Sequence, residues 1–137
     1  MAAEVLPDME AAMRRYLRAD TGLAALVGNR VFYDIPTDTA FPLVVVSRVG
    51  GGDDNGEAPV DLAVMRFAVW GNLNARAATN ATVNALRSAL RSIRGSTLLA
   101  SGVRAFGATV DTVLYQPDPE TGRPRFIVTA RVTAIAV

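Results

Sequence analysis

Apolar residues near the start of the chain recur at helical spacing. Met9, Met13, Tyr16 and Leu17 share one face, while Glu10, Arg14, Arg15 and Arg18 lie largely elsewhere, which predicts an amphipathic helix. Pro7 suits its first turn, and Asp8 places negative charge at its positive end. Asp20 or Thr21 can cap a second, short helix carrying Leu23, Leu26 and Val27, which Gly28 would stop. The period then shortens. Arg30–Ile35 (RVFYDI) and the β-branched run Leu43–Val49 (LVVVSRV) read as strands bounded by prolines. Gly50–Pro59 (GGGDDNGEAP) is polar, glycine-rich and aperiodic, and predicts a mobile loop. Val60–Gly71 resumes an extended chain with Ala63, Met65, Phe67 and Val69 on one face and Arg66 and Trp70 on the other.

Asn74–Arg94 carries the clearest helical pattern. Val83, Leu86, Leu90 and Ile93 form an apolar stripe, and Arg76, Asn80, Asn84, Arg87, Arg91 and Arg94 form the polar one. Gly95 would end it. The remainder predicts a hairpin. Phe106, Ala108, Val110, Thr112 and Leu114 alternate in its first arm, and Phe126, Val128, Ala130, Val132 and Ala134 in its second, around the turn segment QPDPETGRP. Adjoining strands with few regular βαβ units predict an α+β fold: a mainly antiparallel sheet of four to five strands, with one long helix and one or two N-terminal helices packed on it. No internal repeat or linker divides the chain, so residues 1–137 are expected to form one domain with a mobile loop at 50–59.

Composition narrows the chemistry. The 137 residues are half hydrophobic, enough for an ordinary core. Cysteine and histidine are absent, and all 14 basic residues are arginine. Serine–histidine and cysteine–histidine nucleophiles, thiolate metal sites, Schiff-base lysines and the phosphate-loop lysine are therefore excluded. The formal charge of +1 gives no signal for non-specific nucleic-acid binding. No apolar stretch is long enough to span a bilayer. The N-terminal MAAEVLPDMEAAMRRY has neither a basic lead nor an unbroken apolar segment, so no secretory signal is expected.

Five features stand out as candidate sites. Asp53, Asp54, Asn55, Glu57 and Asp61 form a carboxylate cluster that suggests a hard cation, but its spacing departs from an EF-hand loop and a solvated loop accounts for it better. Gly50, Gly51 and Gly52 lack the lysine and helix start of a phosphate cradle. Arg87, Arg91 and Arg94 form a stripe of the kind common on solvated helix faces. Trp70 with Arg66 forms one potential interface anchor. The second face of the last strand, carrying Ile127, Thr129, Arg131, Thr133, Ile135 and Val137, forms another and calls for cover by a second chain or by an early helix.

The sequence resembles the tail terminator (tail completion) proteins of long-tailed bacteriophages. The likeness is carried by LRADTGLAALVGNRVFYDIP (Leu17–Pro36), FPLVVVSR (Phe41–Arg48), RFAVWG (Arg66–Gly71), the alanine-rich helix Ala75–Ile93 and the hairpin with PDPETGRPR. It covers roughly Asp8 to Val137. The resemblance implies a structural virion protein, not an enzyme, with no cofactor and no metal. It implies a homohexameric ring at the tail–head junction, assembled in the bacterial host cytoplasm. Such a ring would cap the completed tail tube and join the tail-tube protein to a head-completion or stopper (neck) protein. DNA would pass through it without sequence-specific binding, and no membrane would be involved. Other neck or tail-tube ring proteins share this architecture, and a carboxylate- or metal-dependent enzyme is the alternative from another class. Expected subunit or partner contacts are Gly51, Asp53, Asp54, Asn55 and Glu57 in an assembly arm, with Arg66 and Trp70 as one patch and Ile127, Ile135 and Val137 as a second.

Overall fold

A computed structural model describes residues 7–53 and 60–137. Helix α1 spans Met9–Ala19, and Asp8 caps it by accepting a hydrogen bond from the Ala11 amide at 3.1 Å. Such a cap is worth about 1 kcal/mol. Helix α2 spans Thr21–Val27, capped in the same way by the Asp20 carboxylate on the Leu23 amide at 2.9 Å. Six strands and a third helix follow: β1 Val31–Phe32, β2 Leu43–Asp53, β3 Val60–Trp70, α3 Arg76–Arg91, β4 Arg94–Ala100, β5 Val103–Tyr115 and β6 Arg125–Ala136.

The strands form one sheet in the order β1-β2-β3-β6-β5-β4, with β1 joined to β2 in parallel. This corrects the expected architecture. The fold is a six-stranded mixed sheet with three helices, the longest of 16 residues, in place of four to five mainly antiparallel strands around one long helix. Two local causes account for the difference. The helical stripe continues in sequence to Arg94, but α3 stops at Arg91 and Arg94–Ala100 leaves as β4. Its sequence, RGSTLLA, carries no alternation because the strand lies at the sheet edge and pairs irregularly with β5. In addition, Gly50–Asp53, expected in a loop, extends β2 against Val64–Asp61 of β3. A ladder is made of backbone groups, so a glycine run can join it wherever a partner strand is long enough.

α1 packs on β1, β2 and β4, α3 packs on β3, β5 and β6, and α2 bridges α1 and α3. All three cover one face of the sheet, where Met13, Leu17, Phe67, Leu86, Leu90 and Val128 are fully buried. The Tyr16 hydroxyl donates to the Ala89 carbonyl at 2.8 Å and fixes α1 against α3. The inward positions expected of β3 and β6 hold throughout both strands. In β5 they do not. Register shifts at Ala105/Gly107 and Val110/Thr112 change the phase twice. Val103 and Ala105 therefore face the core, while Phe106 and Leu114, expected to share one face with Ala108 and Val110, stand 41% and 56% exposed.

Candidate functional site

Alternation leaves the other sheet face without a helix. The ladder registers place Val45, Ala68, Ile127 and Leu114 in one row across β2, β3, β6 and β5. The next row is Ser47, Arg66, Thr129 and Thr112. None of these residues joins the core cluster beneath the helices. The result is a mixed surface, apolar in part, with arginines spaced along it.

Leu43, Trp70 and Arg125 form a further row at one end of this face. Here arginines lie on aromatic rings. Arg125 sits 4.9 Å from the centre of Trp70, and Arg123 sits 3.9 Å from that of Phe41. Each such stack contributes about 0.5–1 kcal/mol at an exposed site. The Arg125 Nε also donates to the Gln116 carbonyl at 2.9 Å, so the guanidinium is held in place. Farther along, Arg131 meets Asp111 at 3.0 Å, but both are exposed enough that water screens the pair.

The expected contact residues fall in distinct places. Arg66 is exposed and Trp70 half-buried on the outer face of β3, while Ile127 is buried and Ile135 half-buried on the outer face of β6. Val137 follows β6, is 65% exposed, and donates its amide to the Gly102 carbonyl. β3 and β6 are neighbours, with Ala68 opposite Ile127 and Trp70 opposite Arg125. The two patches expected to be separate are therefore one continuous surface, and no helix among the described residues covers it. Gly51 lies in β2, and Asp53 pairs in register with Asp61 at the end of that ladder. Asp54, Asn55 and Glu57, with the rest of the expected arm, lie outside the described residues.

Two arrangements were not evident from sequence. Asp61, grouped above with the loop carboxylates, is fully buried and held by both terminal nitrogens of Arg48. A bidentate pair of this kind uses one lone pair on each carboxylate oxygen and sets an arginine charge where a cation would have to sit. The inward parity of Asp61 with Ala63 and Met65 was the available signal. On the helical side, Arg14, Arg15 and Arg18 of α1 line a cleft with Tyr33. The expected helix-face stripe is not kept: Arg91 is exposed at the end of α3, Arg94 is exposed in β4, and Arg87 is half-buried with its Nε lacking a partner.

No group of three or more potential metal ligands occurs among the described residues. A cleft of about 510 Å³, lined by Arg76, Ala77, Asn80 and Phe126, sets no carboxylate beside a base. No helix among the described residues is long and apolar enough to cross a membrane.

Comparison with known proteins agrees with a structural role. Curated proteins give no match. Among solved structures, a chain of the virion of a native gene transfer agent particle superposes with a TM-score of 0.70 at 24% identity, over 93% of this chain and 95% of that one. At that identity the match establishes a shared fold. A family model described as "Tail completion protein gp17" matches residues 11–133, from within α1 to within β6. The chain thus belongs to the tail completion protein gp17 family, and it is a structural protein of the phage tail.

Proposed function

We propose that the chain caps the completed tail tube as a homohexameric ring and offers the joining surface to the head-completion proteins. The observation that carries this reading is the uncovered sheet face. In the row Val45–Ala68–Ile127–Leu114, Leu114 is exposed, Val45 and Ala68 are half-buried and Ile127 is buried, on a face that no helix among the described residues covers, and apolar side chains left partly open on a sheet face favour a protein contact. Arginine and tryptophan, as at Arg66 and Trp70, are enriched at the energetic centres of such contacts. Ile127, Ile135 and Val137 extend the contact along β6, and Gly51 lies toward the far end of β2, with the proposed arm of Asp53, Asp54, Asn55 and Glu57 following in sequence. In the ring, DNA passes through the central channel without base-specific recognition, and the cap lies at the tail–head junction.

Electron microscopy of assembled tails tests this. The expected density is a closed ring of this protein at the head-proximal end of the tube, with rotational symmetry. Location along the tube or within the neck, or density without symmetry, overturns it. Tails assembled without this protein should fail to join heads.

A further inference from the structure

Three arginines on α1 share a small space without a counter-ion. Arg14, Arg15 and Arg18 line a cleft of about 320 Å³ beside Tyr33. Arg14 is fixed there, donating its Nε to the Val31 carbonyl at 2.9 Å and lying 4.7 Å from the Tyr33 ring centre. The Nε of Arg18 is buried without a hydrogen-bond partner. Among the described residues none of the three joins an ion pair. Burial, and then repulsion from Arg14, lowers the pKa of Arg18. A bound anion would remove that repulsion and satisfy the orphaned donor.

The anion should be compact. Asp8 and Glu10 stand at one end of α1 and Asp20 at the other. A nucleic-acid backbone continuing past the cleft would meet these carboxylates, whereas a single side-chain carboxylate would not. Among the described residues, several carboxylates are already engaged. Asp8 and Asp20 cap helices, Glu10 and Asp61 hold Arg48, and Asp111 pairs with Arg131. Asp34 and Asp38 follow Tyr33 closely in sequence, yet neither pairs with the arginines.

Glu120 differs. It stands exposed on the turn between β5 and β6, and its side chain bonds to no described residue. The turn beneath it is tightly held. Asp118 accepts from the Thr121 hydroxyl at 2.6 Å, the Asp118 amide donates to the Arg123 carbonyl at 3.1 Å, and the Gly122 amide donates to the Asp118 carbonyl at 2.8 Å. A rigid tip loses little entropy on docking. Within one subunit the Glu120 side chain forms no ion pair with the α1 arginines.

We infer that the Glu120 tip of one copy docks in the Arg14–Arg15–Arg18 cleft of the next. Two different patches of one chain then meet, as a closed ring requires. The inference rests on the ring reading and names one of its contacts.

The absence of native cysteine allows a direct test. Arg15 and Glu120 are both exposed, so the double variant Arg15→Cys/Glu120→Cys should fold. In oxidised tails it should yield covalent multimers on a non-reducing gel, and each single variant should yield none. Tails that hold the double variant but release only single chains overturn the contact. A charge exchange covers failure of the cysteine variant to enter tails. Arg15→Glu should lower incorporation about tenfold, and Arg15→Glu/Glu120→Arg should recover it to within about twofold. Absence of recovery, with both variants melting like the parent, also overturns the contact. A symmetric ring at the tail end without the crosslink refutes this contact and leaves the cap. Crosslinked copies in tails that show no ring do the reverse.

Discussion

The guanidinium of Arg48 meets the carboxylate of Asp61 in a bidentate pair, with Nη2 2.6 Å from Oδ1 and the Asp61 side chain wholly buried. The pair closes one end of the core, and the Arg48 amide ties β2 to α1 through Glu10 Oε2 at 3.1 Å. Asp61→Ala would leave the arginine charge without its partner. The expected loss is about 3 kcal/mol, at the lower end for such pairs, because the Arg48 side chain keeps 25% exposure and can partly hydrate. Arg48→Met/Asp61→Leu should lose much less than the two single changes together. Urea denaturation of the four proteins measures this, and additive losses would refute the coupling. The hydrogen bond to Asp61 raises the Arg48 pKa. Its stabilisation is therefore complete below the ordinary arginine range and is lost only as pH climbs through the raised folded value, so the effect should be flat across neutral pH.

Gly51 is held for a structural reason. Its φ is +83°, and a Cβ there would lie 1.8 Å from the Leu62 carbonyl oxygen across the ladder. Neither the backbone conformation nor the clash can be relieved by a rotamer change. Gly51→Ala should cost on the order of 3 kcal/mol or more, and Gly107→Ala, with nothing within contact of its added carbon, should stay within about 0.5 kcal/mol. Equal denaturation midpoints for the two variants would show that the β2–β3 ladder opens at Gly51.

These two sites also mark where sequence stops being informative. The cap at Asp20 and the inward parity of β3 and β6 follow from local chemistry and period, and both were legible; Asp8 was read only as charge at the helix start, with Pro7 in the first turn, whereas Asp8 is the cap and Pro7 precedes the helix. The Arg48–Asp61 contact was not, because it depends on a ladder register that a bulge at Arg48/Gly50 displaces. Similar shifts in β5 sent Phe106 outward. Bulges are set by strand pairing, which no single strand encodes. For the same reason Trp70 and Ile127 read as separate patches, since only the neighbourhood of β3 and β6 joins them. The α1 arginines read as the solvated side of an amphipathic helix until Tyr33 and the orphaned Arg18 nitrogen showed a cleft.

The uncovered sheet face predicts a separation of folding from assembly. Arg66 is exposed and pairs with no described carboxylate, so Arg66→Glu should change stability by no more than about 0.5 kcal/mol. The same change reverses charge in the middle of the proposed contact and should deplete the protein from purified tails. Normal incorporation of a folded Arg66→Glu chain would remove this part of the face from the interface.

The hairpin tip gives a prediction that concerns pH. Hydrogen bonds lower the Asp118 pKa, the Thr121 hydroxyl contributing most and the Glu120 and Thr121 amides assisting. A carboxylate whose folded pKa lies below its unfolded value contributes stability that is present above the ordinary carboxylate range and is lost as pH falls through the folded value. The tip should therefore stay ordered through mildly acidic conditions and loosen only below that range. Carbon-detected NMR titration should show Asp118 protonating at lower pH than an unconstrained aspartate, and Thr121→Val should move it back toward the ordinary value. Thr121→Val should also loosen the turn without unfolding the sheet, because the Gln116 amide still donates to the Arg125 carbonyl at 2.8 Å below the tip. An Asp118 titration unaffected by Thr121→Val would mean that the hydroxyl does not hold the turn, and the preorganised Glu120 tip would lose its principal support.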